Sequence, residues 1–361
     1  MPEGLAEDLV GDIWAMPTND YTGYIHSGCY ATFAKGEMMN LGLIENLMVF
    51  SLLITPAFAA NLQQKLEVMA ARHHGKVALY AINMKTGATV AINPDRPVAT
   101  ASVIKLPIMV EAYAQVKAGK RSLSDKITLT KENQVPGSGV LTFLRPGLEL
   151  TLQDAIVLMM TVSDNTGTNM EIDQVGIPSV NARMNGMGLK NTYLYKKVYK
   201  PAEGPLPPDS KQFGLGKTTA REMAEVMESV EGCASSAKPP TPAPADWNGI
   251  SDPALCRQMI DIMRNQQYRN MIPHYLEIVD TSETPSAIAD KIGMLDDVRN
   301  DVALIQSKSG PIVISAFTYD NKDQSWNAEN EAELLIARMS KAIVDAWAPA
   351  GLKTGAQEAK K

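Results

Sequence analysis

The 361-residue sequence has little cysteine, few aromatic residues and no stretch rich in lysine and arginine. With a formal net charge of -6, it lacks the basic surface that nucleic-acid-binding proteins use to neutralise phosphates, so we expect no nucleic-acid partner. The four histidines show no metal-ligand spacing, and we therefore expect no metal or other cofactor. ATP binding is excluded as well, because Lys211 stands where a phosphate-binding loop ending in Gly216-Lys217-Thr218 requires glycine.

Long apolar runs are scarce too, and the one strongly apolar segment extends from Leu47 to Ala59. A membrane-spanning helix needs about 20 apolar residues, which is more than this run offers. Its end, Ala57-Phe58-Ala59, has the small-x-small pattern of a signal-peptidase site. We expect export to the periplasm or the medium, with no stable membrane span after cleavage near Ala59 or Ala60. The alternative is an uncleaved membrane anchor.

The apolar segment lies unusually far from the first residue. A signal peptide normally begins within a few residues of the initiating methionine, yet 37 residues precede Met38 and Met39. We interpret residues 1–60 as a leader with a signal peptide, and we expect the true start to lie downstream of Met1.

The few cysteines are consistent with export. Cys29 lies in the expected leader, which leaves Cys233 and Cys256 in the mature chain. A disulfide between them would close a loop rich in proline and alanine, and it would persist only in an oxidising compartment. Two unrelated buried thiols are the alternative.

Hydrophobic periodicity indicates where helices and strands lie. A helix is expected over Asn61 to Ala71, followed by strands over Lys76 to Asn83 and Ala88 to Ile92. Ser102 to about Met227 is mainly helical in spacing. Near the end of the chain, three more strands are expected over Ala289 to Met294, Asp301 to Gln306 and Ile312 to Thr318. A closing helix is expected over Ala328 to Trp347, with Asn327 as its cap.

This order of elements predicts an α+β fold in three layers, α/β/α. An antiparallel sheet of about five strands, built from both ends of the chain, would be flanked by helices, with a mostly helical lobe inserted between. We expect this domain, in a monomer, to cover residues 61–348, with residues 349–361 as a loose polar tail.

Ser102 and Lys105 form an S-x-x-K pattern in an apolar helical context. A serine hydroxyl becomes a nucleophile when a nearby base takes its proton. Residues three apart share a helix face, so Lys105 is expected beside Ser102, and burial would lower the pKa of the lysine enough for it to act as a base. The pattern alone is weak evidence, because a helix start gives the same spacing.

Two further patterns supply polar groups for the same chemistry. Ser163-Asp164-Asn165 follows an apolar helix, where Ser163 would relay a proton and Asn165 would bind a substrate carbonyl. Lys291-Ile292-Gly293 lies on a late strand, where Lys291 would attract a carboxylate and Gly293 would let a substrate approach the strand edge. In isolation each pattern is also typical of a turn or of an exposed strand.

The order S-x-x-K, S-D-N and a lysine-glycine strand motif resembles that of class A β-lactamases and penicillin-binding proteins. The similarity extends over about Leu62 to Trp347 and includes the segments ATASVIKLPIMVEAY, VPGSGVLTFL and LMMTVSDNTGTNMEI. The resemblance implies that Ser102 is the acylated nucleophile, Lys105 a base and Ser163 a proton shuttle. It also implies substrate binding by Asn165 and Lys291, and an oxyanion hole formed by the backbone N–H groups of Ser102 and Met294.

The sequence departs from the family pattern in two places. The family's deacylating glutamate lies in an E-x-x-L-N context, whereas Glu203 here is followed by Leu206 and Pro207. Glu203 is the candidate deacylating base, and an ordinary surface-loop acid is the alternative. Ile292 replaces a hydroxyl residue of the strand motif, and Arg299 is the candidate that would compensate by binding the substrate carboxylate.

The expected activity is acyl transfer to Ser102 followed by hydrolysis, with a β-lactam as substrate. The alternatives are a penicillin-binding D,D-peptidase, a small-ester hydrolase with slow β-lactam turnover, and a non-catalytic binder of cell-wall peptides. Ser102, Lys105, Ser163 and Asn165 together favour an enzyme over a silent binding protein.

Overall fold

The structure is a computed structural model that describes residues 61–235, 252–276 and 285–353. The predicted leader and its signal peptide lie outside the described residues. The strands are β1 (Lys76–Asn83), β2 (Thr89–Ile92), β3 (Val98–Ala99), β4 (Lys126–Thr128), β5 (Glu149–Thr151), β6 (Tyr193–Leu194), β7 (Gly216–Thr218), β8 (Ile288–Leu295), β9 (Val298–Ser307) and β10 (Gly310–Tyr319). The helices are α1 (61–71), α2 (Lys105–Lys117), α3 (Leu152–Thr161), α4 (Asn165–Val175), α5 (Ile177–Gly186), α6 (Ser210–Phe213), α7 (Ala220–Ala234), α8 (Pro253–Arg264) and α9 (Glu331–Trp347).

The main sheet has five antiparallel strands in the order β2-β1-β10-β9-β8. β1 and β2 come from the start of the domain and β8 to β10 from its end, so the prediction of a sheet built from both ends of the chain is confirmed. All ten residues of β9 are buried. A strand covered on both faces needs apolar or hydrogen-bonded side chains on both, and β9 has an apolar run, VALI, together with buried polar side chains such as Arg299 and Asn300 that are hydrogen-bonded.

Two hydrophobic cores lie on opposite faces of this sheet. On one face α1 and α9 pack against alternate sheet residues such as Leu79 and Ile314. On the other face the helices of the inserted segment, including α2, α7 and α8, pack against the intervening residues such as Tyr80 and Val313. This alternation follows from the period of two along a strand, and it produces the expected α/β/α layers.

The inserted lobe contains α2 to α6, with short strands that hydrophobic periodicity did not reveal. β4 pairs with β5, and β7 joins β3 to β6. α3 begins with a capping box, in which Thr151 and Asp154 exchange side-chain-to-backbone hydrogen bonds. Pairs of strands only two or three residues long carry too little pattern to be predicted from sequence.

Two expectations near the end of the chain need correction. The closing helix α9 is capped by Asn330, whose side chain accepts from the N–H groups of Ala332 and Glu333, and not by Asn327. The first residues of the expected loose tail are attached, because Leu352 forms a β-bridge with Ser307. Residues 354–361 lie outside the described part of the chain.

Cys233 on α7 and Cys256 on α8 are joined by a disulfide with a Cα–Cα distance of 5.9 Å. The two helices pack side by side beneath the sheet, so the bond links elements that are already in contact. In the part of the chain that the structure describes, no helix is both long and apolar enough to cross a membrane.

Candidate active site

Ser102 lies in a tight turn that joins β3 to α2. The chain leaves β3 through Thr100 and Ala101, enters a 3-10 helix over Ala101–Ile104 and continues directly into α2. Ala101 has a φ of 45°, a left-handed conformation that is unfavourable for a residue with a Cβ atom. Ser102 is partly exposed, whereas Ala101 and Val103 on either side are buried, so the turn presents Ser102 at the surface of the core.

The Lys105 side chain, at the first position of α2, is completely buried. Its Nζ donates to the Ser163 backbone oxygen at 2.6 Å, to Ser163 Oγ at 3.1 Å and to Asn165 Oδ1 at 3.0 Å. A direct bond to the Ser102 hydroxyl is not among the contacts of the described residues. The local spacing in S-x-x-K therefore brings the two residues to one turn, while the partners of Lys105 come from another segment.

The environment of Lys105 favours the uncharged amine. Burial lowers its pKa well below the ordinary value of 10.5, and the nearby charge of Lys291 lowers it further, while Asp164 acts in the opposite direction. A neutral lysine has two N–H donors and one lone pair. The Ser163 carbonyl and the Asn165 amide oxygen only accept, so they occupy both donors of the neutral amine, and the contact with Ser163 Oγ becomes a donated bond once the lone pair has taken a proton.

Ser163 is bound by a second buried lysine. Lys291, on β8, donates from Nζ to Ser163 Oγ at 3.0 Å and to the Ile292 backbone oxygen at 2.8 Å. Burial lowers the pKa of Lys291 to about 7, although Asp290 and Asp301 raise it. Ser163 itself has a φ of 53°, so a strained backbone holds its hydroxyl between the two lysines.

Asp164 anchors this region without contacting Lys105 directly. Its carboxylate caps α4 by accepting from Gly167 N at 2.8 Å, and its other oxygen accepts from the N–H groups of Val140 and Leu141 at 2.6 and 2.9 Å. Gly139, with a φ of 107°, lets the loop pass so closely that a Cβ atom there would overlap Asp164. The segment GSGVL, residues 137–141, therefore packs closely against Asp164 and is hydrogen-bonded to it.

Asn165 is fixed at both ends of its amide. Its Oδ1 accepts from Lys105 and its Nδ2 donates to the Pro136 backbone oxygen at 3.1 Å, which settles the orientation of the amide. Its backbone N–H donates to the Ser138 backbone oxygen at 2.9 Å. A Cβ atom on Gly137 would approach both Asn165 Nδ2 and the Tyr199 ring, so these groups meet at one edge of the site.

Gly293 brings β8 against the nucleophile turn. A Cβ atom at this position would lie 2.7 Å from the Thr100 backbone oxygen and 2.9 Å from the backbone nitrogen of Ser102. Only glycine permits this approach, which also brings the following residue, Met294, near the turn. The three motifs that are far apart in the sequence thus converge around Ser163 and Ser102.

A model of a family described as the "Beta-lactamase enzyme family" matches residues 61–347. The chain belongs to this family. The match begins at the first residue of the described domain and ends at the last residue of α9, so it includes every motif described above.

Relatives and solved structures agree with this membership. A β-lactamase of Rhodobacter capsulatus is 23% identical over 275 residues, which are 74% of this chain and 83% of that relative. A β-lactamase from Sphaerobacter thermophilus is 28% identical, with a TM-score of 0.63 over 80% of this chain and 97% of that structure. A mutant of PBP-A, solved as an acyl-enzyme complex with penicillin G, is 25% identical, with a TM-score of 0.63 over 80% of this chain and 96% of that structure. The chain is therefore a serine hydrolase that resembles class A β-lactamases.

Within this β-lactamase fold, Arg299 lies away from the converging motifs. Its Nε donates to Glu333 Oε1 on α9 at 3.0 Å, and its other nitrogens donate to backbone oxygens that include those of Val298 and Ser325. Arg299 is completely buried on the face of the sheet that packs against α9. The expected role in binding a substrate carboxylate is not supported by this placement, and we do not include Arg299 in the site proposed below.

Glu203 does not lie next to Lys105 or Lys291 either. Its side chain is 69% exposed, and its carboxylate is paired with Lys197 Nζ at 2.8 Å. Lys197 is held in turn by Asp173 of α4. Glu203 lines a cleft of about 320 Å³ whose lining includes none of Ser102, Lys105, Ser163 or Asn165.

Sequence reasoning missed Asn169, which attaches the loop between β6 and α6, the loop that contains Glu203, to α4. Its Nδ2 donates to the Val198 backbone oxygen at 3.0 Å, and its Oδ1 accepts from Val198 N at 2.8 Å. Asn169 lies one helical turn after Asn165 on α4, and that i,i+4 pair of asparagines was the available signal. The residue that it fixes, Val198, has no titratable group.

Proposed function

We propose that β-lactams acylate Ser102 and that the resulting ester is hydrolysed slowly. One observation carries the acylation step: two buried lysines, Lys105 and Lys291, both bind Ser163 Oγ, next to the turn that holds Ser102. Burial lowers the pKa of both amines, which favours proton transfer between Lys105, Ser163 and the reacting groups.

In the first step the neutral Lys105 amine takes the proton of the Ser102 hydroxyl as Oγ bonds to the carbonyl carbon of the β-lactam. The carbonyl oxygen becomes an oxyanion. The backbone N–H groups of Ser102 and Met294 are the proposed donors to this oxygen, a contribution supported by the close approach of β8 at Gly293.

In the second step the carbon–nitrogen bond of the lactam breaks, and the nitrogen needs a proton. Ser163 Oγ supplies its own proton and takes one from the protonated Lys105, which returns Lys105 to the neutral amine. The two lysine donors occupy the lone pairs of Ser163 Oγ, so its O–H bond is free to point to the leaving nitrogen.

Lys291 and Asn165 are the proposed substrate-binding side chains. With its pKa lowered to about 7, Lys291 is partly protonated at neutral pH, and its ammonium form attracts the carboxylate that most β-lactams carry. The Asn165 amide, oriented by Lys105 and Pro136, offers its second Nδ2 hydrogen to a substrate carbonyl.

We expect slow hydrolysis of the ester because, among the described residues, the loop between β6 and α6 places no base next to Ser102. Deacylation requires a base that activates water, and the predicted base, Glu203, is exposed and paired with Lys197. The loop residue that Asn169 holds against α4 is Val198, which cannot act as a base. We therefore propose that acylation outpaces hydrolysis.

Mass spectrometry of the mature protein, mixed with benzylpenicillin or a chromogenic cephalosporin, tests this proposal. We expect an adduct on Ser102 that persists for minutes or longer and is absent in Ser102→Ala. Glu203→Gln should leave the lifetime of the adduct within about twofold of wild type. Rapid turnover that Glu203→Gln abolishes would contradict slow hydrolysis and establish Glu203 as the base. The absence of both adduct and turnover would contradict acylation.

A penicillin-binding D,D-peptidase is the second candidate. The observation that favours it is the similarity to PBP-A, whose mutant forms an acyl-enzyme with penicillin G. A peptide ending in D-Ala-D-Ala distinguishes the two, because a peptidase releases the terminal D-alanine and a β-lactamase does not. A small ester offered in parallel identifies a general ester hydrolase.

We also propose that the protein is exported. The apolar segment from Leu47 to Ala59 and the disulfide between Cys233 and Cys256 support this proposal. Comparing the mass of the mature protein from an exporting host with the full chain tests it, and an intact residue 1–60 segment would contradict cleavage.

A further inference from the structure

Asn300 is a buried polar residue on β9 that contacts the nucleophile turn. In the sheet it lies opposite Gly293 of β8. Its Nδ2 donates to the Ala99 backbone oxygen at 2.9 Å and to the Thr100 backbone oxygen at 3.2 Å. One side-chain amide thus connects the central sheet to the two residues that lead into the turn.

The oxygen of the same amide is unfavourable for stability. Asn300 Oδ1 is buried and accepts no hydrogen bond from the described residues. An unpaired buried amide oxygen is destabilising, because it loses its hydrogen bonds to water without gaining others, so an apolar side chain of similar size would suit the packing better. What asparagine adds at this position, and an apolar side chain would not, is the pair of hydrogen bonds from its NH2 group to the turn.

The turn needs external support because its backbone is strained. Ala101, with a φ of 45°, directly precedes Ser102. Such a conformation persists only where the surroundings hold it. Thr100 N donates to the Gly216 backbone oxygen at 3.0 Å from the β7 side, and Asn300 holds the carbonyls of Ala99 and Thr100 from the β9 side.

The position of this turn decides where the Ser102 N–H points. An oxyanion hole requires two N–H groups at about 2.7–3.1 Å from one oxygen atom. The Ser102 nitrogen belongs to the turn and the Met294 nitrogen belongs to β8, so their separation depends on how the turn is docked against the strand. Gly293 makes close docking sterically possible, and Asn300 supplies the hydrogen bonds that maintain it.

We propose that Asn300 is a positioning residue for the oxyanion hole. It holds the turn between Ala99 and Ser102 against β8, so that the Ser102 and Met294 N–H groups are aligned before a substrate arrives. This inference rests on the proposed acylation of Ser102. Asn300 touches no reacting atom in it and acts only through the turn.

The test compares Asn300→Leu and Asn300→Ser with a matched control, Asn330→Leu. Asn330 is equally buried, but it caps α9 on the opposite face of the sheet. We expect both Asn300 variants to react with a chromogenic cephalosporin about 10²-fold more slowly than wild type, because small misplacements of reacting groups have effects of this size. Asn330→Leu should lower the thermal midpoint and leave the acylation rate within about twofold. Asn300→Ser covers the case in which Asn300→Leu does not fold.

Isotope-edited infrared spectroscopy of the acyl-enzyme gives a readout that a purely structural role would not change. Hydrogen bonds from the oxyanion hole weaken the ester C=O bond, so its band should move to higher frequency in the Asn300 variants and stay in place in Asn330→Leu. Wild-type protein without any acylation would contradict the proposed function and this inference with it. Normal acylation in wild type, with unchanged rates and an unchanged band in both Asn300 variants, would contradict this inference alone. Equal slowing in Asn330→Leu would also overturn it.

Discussion

Lys291 combines complete burial with a charge that the proposed reaction needs. Since burial lowers the pKa of its ammonium to about 7, the charged form is lost as the pH rises above 7. We expect kcat/KM for a β-lactam that carries a carboxylate to fall by about tenfold per pH unit above that value, because the free amine no longer attracts the anion. A pH profile of kcat/KM from 6 to 9 measures this.

A neutral ester substrate provides the control, since it has no carboxylate to lose. Lys291→Arg provides another, because arginine keeps its charge throughout this range and should move the decline out of it. An equal decline for the charged and the neutral substrate would show that Lys291 does not act through the substrate carboxylate.

Glu171 is a buried acid on α4 that the proposed reaction does not use. Neither of its carboxylate oxygens is bonded within the described residues, and burial raises its pKa from the ordinary 4.5 to about 8. The folded protein therefore holds this proton up to about pH 8, whereas the unfolded chain releases it near 4.5. The contribution of the protonated carboxyl is complete below about 4.5 and is lost as the pH rises through about 8.

Glu171→Gln removes this titration. We expect the free energy of unfolding of the variant, relative to wild type, to increase by a few kcal/mol between pH 5 and pH 9, on the order that linkage predicts for a shift of this size. Urea denaturation at several pH values measures it. The exposed Glu203→Gln is the matched control, and a parallel change in both variants would contradict the assignment to Glu171.

At the scale of the elements, the loop over residues 136–141 approaches Asp164 closely at Gly139. Gly139 and Gly147 both have a positive φ, of 107° and 94°. A Cβ atom on Gly139 would overlap Asp164, whereas one on Gly147 would meet nothing within 4 Å. Alanine at either position strains the backbone by about 1–2 kcal/mol, but only Gly139→Ala also displaces Asp164.

We therefore expect Gly139→Ala to reduce the rate of acylation at least tenfold and Gly147→Ala to leave it nearly unchanged, although both lower the thermal midpoint. Stopped-flow acylation and thermal denaturation of the two variants separate the effects. The expectation is contradicted when the two variants lose activity in proportion to their loss of stability.

On the scale of the whole molecule, the central sheet separates the proposed site from the α9 side. Neighbouring residues of β9 point to opposite faces, so Asn300 contacts the nucleophile turn while Arg299 contacts Glu333. This separation predicts that the two residues differ in what they support. Arg299 stabilises the packing of α9, and Asn300 supports the reaction.

Arg299→Ala should destabilise the protein by about 3–5 kcal/mol, because it leaves Glu333 buried without its partner. The ratio of kcat/KM for a carboxylated and a neutral substrate should stay the same as in wild type, measured at a temperature where both proteins are folded. A lower ratio in the variant would restore Arg299 as a carboxylate-binding residue.

Local sequence was sufficient for the types of residue at the site, for the five strands of the main sheet and for the first and last helices, whereas the short strands β3 to β7 carried too little pattern. S-x-x-K and S-D-N are short patterns whose members lie on one turn, and periodicities of 2 and 3.6 arise within single strands and helices. The sequence also indicated that β1, β8, β9 and β10 belong to one sheet, because strands at both ends of a domain with helices between have few other partners.

Only the tertiary structure decided which of these residues meet. Lys105 binds Ser163 and Asn165, about sixty residues along the chain, and Glu203 pairs with Lys197 at the surface. The register of β9 decided that Arg299 faces α9 and that Asn300 faces the turn, since a shift of one residue exchanges the two faces of a strand. Contacts of this kind depend on how distant segments pack against each other, and no local pattern in the sequence encodes them.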